Sequence, residues 1–321
     1  MELTVVPFST EHVADAAGLL AARHAQHRRA EPLLPERFEV PAAAREQIAV
    51  AWSAEGASGA AAFRRGQLVG YLVGAPRKGP VWGENVWVEA AGLAAEEPEI
   101  VRELYAAAAA VWFEHGRRRH YVLVPATDQL LVDAWFRLGF GQQQAHGIRE
   151  VTPPADVRRP NGLEIRKPRE DDIEALIAVD MVLARVNRDS PVFSDWPLPT
   201  ADALRTEWRS TLIDGVDRVL IGCVDGRPVA CWSYCDIEHA GYHHGLVGAD
   251  DACYLAFAAT LPEVRGSGIG VALTDATFAA AAEEGYAAMV TDWRFTNLLA
   301  SRFWPRRGFR TSFLRLYRSI P

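Results

Sequence analysis

Arg265, Gly268 and Gly270 sit at the mouth of a helical run, in the stretch Arg265-Gly266-Ser267-Gly268-Ile269-Gly270. Glycines there let backbone N–H groups approach an anion closely. The amides of a first helical turn have no intrahelical partner, and the helix dipole adds positive potential at the same end. Arg265 supplies a full charge at the loop entrance. The chemistry this favours is the holding of a diphosphate. A Walker loop is excluded, because Val271-Ala272 follow the last glycine where Lys-Ser/Thr is needed. The dinucleotide fingerprint G-x-G-x-x-G is also missing from Gly266–Ala272. A tight strand-to-helix turn with no ligand is the plain alternative.

The elements that position this loop are readable on both sides. Tyr254–Thr260 is apolar and free of turn residues, which suits a buried strand. Pro262-Glu263-Val264 interrupts it. After the loop, Ala272, Leu273, Ala276, Ala279 and Ala280 share one helical face, and Gly285 is placed to end the helix. Ala287–Thr291 reads as a second strand. Asn297, Ala300, Trp304, Gly308 and Phe309 then follow at intervals of three, four, four and one. Arg-x-x-Gly-x-Gly followed by an Asn, an Ala three on, an aromatic seven on and Gly-Phe eleven and twelve on resembles the GNAT superfamily of N-acetyltransferases. The resemblance implies an α/β (α+β) fold: a mixed, mostly antiparallel sheet, splayed at its centre and flanked by helices.

The chain has 321 residues, which favours two domains. It is 49% apolar and 23% charged, with a formal net charge of −7, the balance of a soluble globular protein and not of a nucleic-acid binder. The N-terminus lacks a signal pattern, and the Ala-rich run 106–113 is too short to span a bilayer. Cys223, Cys231, Cys235 and Cys253 suit no usual zinc spacing, so buried free thiols in a reducing cytoplasm are expected, with no metal.

In chain order, strand, helix, helix and hairpin run from Leu3 to Val73 and start again at Leu163 after the connector Thr152–Gly162. Leu3 and Leu163, and Gly66 and Gly226, are 160 residues apart. Gly116 and Gly285, Trp135 and Trp304, and Gly139-Phe140 and Gly308-Phe309 are 169 apart. The pattern is a tandem duplication, with domains at 1–151 and 163–321 and a linker at 152–162. At the 169 offset the glycine loop becomes Glu96-Glu97-Pro98-Glu99-Ile100-Val101, and Asn297 becomes Asp128. Carboxylates, and a proline without an N–H donor, stand where a diphosphate would sit. The first domain is therefore expected to be degenerate and not to bind CoA in the usual place.

By position, the resemblance implies that Ala259, Thr260 and Leu261 meet the pantetheine arm of acetyl-CoA. Arg265 and the amides of Gly266, Ser267, Gly268, Ile269 and Gly270 would hold its pyrophosphate. Asn297 would bond the arm or cap the following helix. Acetyl transfer needs a neutral amine, a polarised thioester and a stabilised thiolate. Many relatives carry a Tyr acid where Trp304 stands here, and an indole is no useful proton donor. The pre-loop strand has no carboxylate either; Tyr254 is its only titratable oxygen. Asp292 is the first candidate base, ahead of Asp236 and Glu238, against the alternative of a loop carboxylate bonding nearby amides. His239, His243 and His244 read as an exposed cluster that lines the acceptor site only as a second choice. Arg302, Arg306, Arg307 and Arg310 read as a solvated face or as partners of the CoA 3′-phosphate. The expected function is direct acetyl transfer from acetyl-CoA to a primary amine of a small molecule or peptide. Acceptor choice is assigned to Asn187–Pro199 and the histidine-bearing connection, in a cytoplasmic monomer or homodimer. A mycothiol-synthase-like activity and a non-catalytic acyl-CoA sensor or scaffold are the alternatives.

Overall fold

A two-residue turn recurs at the same place in each repeat. Arg65-Gly66 (φ 55° and 80°) and Asp225-Gly226 (φ 50° and 76°) each join two antiparallel strands. Positive φ at both central positions is the geometry whose twist matches that of flanking strands. The computed structural model that shows this describes residues 3–79, 82–153, 159–194 and 196–321, and of Tyr242 the backbone alone. Residues 154–158 of the expected linker and Asp195 of the expected acceptor loop lie outside the described residues.

Two compact units result. The first comprises Met1–His146, Gly245–Val247 and Thr311–Pro321, and the second Gly147–His244 and Gly248–Arg310. In chain order the first unit carries β1 (Thr4–Pro7), α1 (Val13–Ala30), α2 (Pro41–Ser53), β2 (Ser58–Arg64), β3 (Gln67–Gly74), β4 (Asn85–Val88), β5 (Leu93–Ala95), α3 (Ile100–Glu114), β6 (Arg119–Pro125) and α4 (Gln129–Phe136). β7 (Gly141–Glu150) begins in the first unit and ends in the second. The second unit carries β8 (Leu163–Arg166), α5 (Ile173–Arg188), α6 (Ala201–Asp214), β9 (Arg218–Val224), β10 (Arg227–Asp236), β11 (Ala252–Thr260), α7 (Ile269–Glu283), β12 (Ala288–Arg294) and α8 (Ala300–Arg306). The last strand, β13 (Arg310–Ser319), pairs antiparallel with β6 and so completes the first unit. Its position was not readable from periodicity.

In the first unit β1, β2, β3 and β5 form an antiparallel sheet in that order, and β4 runs parallel to β6. Leu20, Phe38, Ile48, Tyr71 and Phe313 fill its core. The counterpart of β11 is broken here into β4 and β5 by a turn at Ala90–Gly92. At the start of α3, Glu97 pairs with Arg64 at 2.7 Å, and Glu99 with Arg137 at 2.9 Å and with Arg102. Two of the three carboxylates that replace the glycine loop, Glu97 and Glu99, are thus tied to the unit's own arginines.

In the second unit the strand order is β12-β11-β10-β9-β8, antiparallel except for the parallel pair β11–β12. α7 packs against β9 and β10. A Cβ at Gly222 would come within 2.8 Å of Leu273, so glycine is what allows that approach. Leu273 and Phe278 are buried, each side chain contributing about 1.5–3 kcal/mol on removal from water. Arg166 grips Asp172 with two bonds, at 2.7 and 2.8 Å, and Asp172 also accepts from the Arg169 amide, which fixes the entry to α5. All four cysteines are buried and unpaired. Among the described residues no helix is long and apolar enough to cross a membrane.

Candidate active site

β11 is the strand that makes the site. It pairs with β12 only from Ala252 to Tyr254, opposite Ala288 to Val290, although both strands run on, to Thr260 and Arg294. Its other edge stays paired with β10 as far as Thr260. At the point of divergence the Thr291 hydroxyl donates to the Leu255 carbonyl at 3.0 Å. There the β10 register also shifts, so that Ala256 is extra and exposed. A bulge re-aims a strand and leaves one residue unpaired. From Ala256 onward the β12-facing edge of β11 is therefore open to a ligand. The sheet is splayed at its centre, as the resemblance implied.

A cavity of about 400 Å³ lies along that edge, within the range of small-molecule sites. Of the predicted cofactor residues, Ala259, Thr260, Arg265, Gly266, Gly268, Ile269, Gly270 and Asn297 line it. Leu261 and Ser267 do not. The Leu261 amide donates to the Val229 carbonyl at 2.9 Å, and the Ser267 hydroxyl donates to the Val264 carbonyl at 2.6 Å, closing the loop. Gly268 stands at φ 90°, ψ −4°, just before α7. The first helical bond of α7 is the Ala272 amide to the Gly268 carbonyl, at 3.0 Å. The amides of Ile269, Gly270 and Val271 thus have no helical acceptor. Arg265 is exposed beside them, its Nε donating to the Thr260 carbonyl at 3.4 Å. Asn297 accepts from the Leu299 and Ala300 amides, each at 3.1 Å. It caps α8 and also lines the cavity, so the two roles weighed for it share one residue.

Several lining residues were not foreseen: Val182, Leu183 and Val186 of α5, Trp232 of β10 and Phe303 of α8. The α5 residues had a signal. The apolar stripe of α5 is buried at Ile173, Leu176 and Val179 but only half-buried at Val182, Leu183 and Val186, where the cavity begins. Periodicity alone does not separate the two halves of that stripe.

A second cluster sits at the fork of the splay. Tyr254 Oη donates to Asp292 Oδ1 at 2.6 Å, joining the last paired residue of β11 to β12. His243 stacks on Tyr254, with centroids 4.4 Å apart and planes 15° apart, and its Nε2 is 3.6 Å from the same Asp292 oxygen. His243 is therefore not part of an exposed cluster: its side chain is 16% accessible, against 55% for His239. Asp236, the second candidate base, is held by Arg218 at 2.8 Å and by the Tyr286 hydroxyl, which keep its carboxyl below the usual range. Trp304 is buried, edge-on to Phe303 and Phe309, with ring centroids 4.9 and 5.5 Å away. Arg310 is paired with Glu150 at 2.8 Å.

Comparison with known proteins agrees with this geometry. The sequence model of the Acetyltransferase (GNAT) family matches residues 183–309. A GCN5-related N-acetyltransferase from Sphaerobacter thermophilus matches in structure with a TM-score of 0.62 at 14% identity, over 99% of this chain and 95% of that one. A tandem GNAT protein from the clavulanic acid biosynthesis pathway matches with a TM-score of 0.52 at 16% identity, over 99% and 98%. The glucosamine N-acetyltransferase region of a fungal multi-domain β-N-acetylglucosaminidase matches with a TM-score of 0.55 at 15% identity, over 98% of this chain and 38% of that one. No curated protein sequence matches the chain.

Proposed function

Residues 183–309 carry an acetyltransferase domain of the GNAT family, and from that premise we propose that the protein moves an acetyl group from acetyl-CoA to a primary amine, with the chemistry confined to the second repeat, residues 163–321. The acceptor is a small molecule or peptide, and the setting is the cytoplasm. The observation that carries this reading is the splay: an open β11 edge leading from the unbonded first-turn amides of α7 to the Tyr254–Asp292–His243 cluster.

The residues fit such a donor. The amides of Ile269, Gly270 and Val271, with Arg265, suit a pyrophosphate. The apolar walls Val182, Leu183 and Phe303 and the free edge at Ala258–Thr260 suit a pantetheine arm. Acetyl-CoA supplies an activated acyl group. The chain's own groups hold it and manage protons. The Asp292 carboxylate, hydrogen-bonded by Tyr254, accepts the proton that the amine nitrogen loses as its bond to the acyl carbon forms. The His243 ring lies against that pair and fixes the tyrosine's plane. The proton is returned to the departing sulfur, so the products are an amide and a free thiol.

Calorimetric titration of acetyl-CoA, followed by thiol release with a panel of amines, tests the reading. One site per chain, lost in Gly268→Glu and Arg265→Ala with the fold intact, is expected, together with turnover of at least one amine. Two sites per chain would place a donor in the first repeat as well. No binding to the folded protein would overturn the proposal.

A further inference from the structure

A second cavity lies wholly within the first unit. It encloses about 290 Å³ and is lined by Arg23, Gln26, His27 and Arg29 of α1 and by Thr127 and Asp128 beyond β6. Its position in the repeat is informative. Arg23 and Gln26 precede Leu183 and Val186 by 160 residues, and Asp128 precedes Asn297 by 169. Leu183, Val186 and Asn297 all line the cavity of the second unit. The two repeats thus keep a cleft at the same place in the fold, but aliphatic walls in one are charged and polar walls in the other.

The polar lining is incompletely matched by the protein itself. The terminal nitrogens of Arg23 donate to the backbone carbonyls of Leu93 and Ala90, while its Nε is buried without a partner among the described residues. His27 is 3% exposed, and its Nε2 is likewise buried without one. Burial, with Arg23 beside it, pushes the His27 imidazole down to about 3 against the opposing pull of the Ser312 backbone, so it carries no charge near neutrality. Asp128 Oδ1 accepts the Leu131 amide at 3.0 Å as the cap of α4, which fixes the carboxylate in place. Arg29 is exposed at the rim. Buried polar groups are as a rule paired, and these two nitrogens, which have no exposed surface of their own, make the wall beneath the cavity polar without being contact points. Both signs of fixed charge face the space. A plain anion would meet Arg23 and Arg29 but would also face Asp128, and a plain cation would have the reverse difficulty. A CoA arm is unsuited, since Glu97 and Glu99 stand at the phosphate end of this repeat, tied to arginines.

We propose that this cavity binds a small zwitterion of the α-amino-acid type, its carboxylate toward Arg23 and Arg29 and its ammonium group toward Asp128. The volume is at the lower limit for ligand pockets and suits a metabolite of few heavy atoms, not a nucleotide. The site is independent of the acetyl-transfer reading, because all its residues belong to the first unit and none to the glycine loop.

The full-length protein is titrated calorimetrically with the proteinogenic α-amino acids one at a time, with acetate and methylammonium as single-charge probes. At least one amino acid is expected to bind, and neither single-charge probe to bind as tightly. Asp128→Asn keeps a capping side chain and Arg29→Ala lies at the exposed rim, so both variants should fold; an unchanged unfolding transition confirms it. Each is expected to weaken the amino acid by about tenfold or more, the scale of one lost charge-assisted hydrogen bond. Absence of binding by every amino acid, acetate binding equally well, or an unchanged affinity in Asp128→Asn would each overturn the proposal.

Discussion

Gly268→Ala is the perturbation whose cost the structure specifies most fully. Gly268 sits at φ 90°, a region that side-chain-bearing residues rarely adopt. A Cβ built there would meet nothing nearer than Pro160 Cγ at 3.5 Å, an ordinary contact. The penalty is therefore conformational and not steric, about 1–3 kcal/mol. That sum has two places to appear. If the loop keeps its shape without ligand, the unfolding free energy of the second unit falls by the full amount and acetyl-CoA affinity is unchanged. If the loop relaxes, stability is spared, and binding must restore the shape at a cost of about 5–150-fold in Kd. The two losses together are fixed by φ. Denaturant unfolding read by tryptophan fluorescence, paired with calorimetric titration of acetyl-CoA, measures both. Gly270→Ala is the matched control. Gly270 has no positive φ, its Cβ would lie 3.5 Å from Trp232 and 3.7 Å from Phe303, and it sits in the first turn of α7. Alanine there should raise stability by about 0.5–1 kcal/mol while its methyl enters the cavity and weakens acetyl-CoA. A Gly268→Ala protein unchanged in both stability and affinity would refute the reasoning, and with it the role given to this backbone position.

Asp292→Asn should lower turnover by about 10²–10⁴-fold while leaving acetyl-CoA affinity within a few fold, and Tyr254→Phe should lower it less, both read by thiol release at saturating donor. Burial, with Glu207 nearby, raises the Asp180 carboxyl to about 6. A raised acid folds more readily protonated, so this group destabilises the second unit above about pH 6 and ceases to do so near pH 4. Asp180→Asn is therefore expected to gain about 1–2 kcal/mol of stability at pH 8, after discounting for partial exposure, and little at pH 4, as measured by denaturant midpoints. Burial likewise holds His27 at about 3 and His120 at about 4. Depressed bases stabilise the fold fully above the unfolded value of about 6.5 and lose that contribution as pH falls below it. The first unit should thus melt at lower temperature at pH 5 than at pH 7, with a smaller slope in His27→Leu.

What the sequence disclosed follows from the range of the forces involved. Local signals placed the elements well: Gly66 and Gly226 marked both hairpin turns, and the apolar run Tyr254–Thr260 falls within β11. The loop Arg265–Gly270 was legible because backbone access leaves a compositional trace. His243 was not, because what brings it against Tyr254 and Asp292 is the path of a connection, and a cluster of three histidines looks alike whether one is buried or none. The membership of β13 in the first unit was equally hidden, since pairing with β6 spans about 190 residues of chain and no pattern within the strand records it. The walls contributed by α5 lay between these cases: the apolar stripe was visible, and only the exposure of its second half separates a cavity wall from a core face.

The absence of a tyrosine acid at Trp304 is best judged from the other repeat. Trp135, its counterpart, is fully buried, edge-on to Tyr105 and Phe140 with ring centroids 5.5 and 4.8 Å away. Trp304 makes the same kind of contact with Phe303 and Phe309, the latter the counterpart of Phe140. The first repeat has carboxylates in place of the glycine loop, yet keeps the same indole in the same ring packing, although Trp304 also borders the donor cavity. A side chain retained where the donor loop is lost is there for packing. Trp304→Phe and Trp135→Phe should therefore behave alike, each losing about 1–3 kcal/mol of stability through the volume removed. In Trp304→Phe the turnover per folded molecule should remain within a few fold of the parent, measured by thiol release after correction for the folded fraction. A loss of a hundredfold or more with the fold intact would instead place the indole among the groups that touch the reacting atoms, and the proton for the departing thiolate would have to be sought beside it.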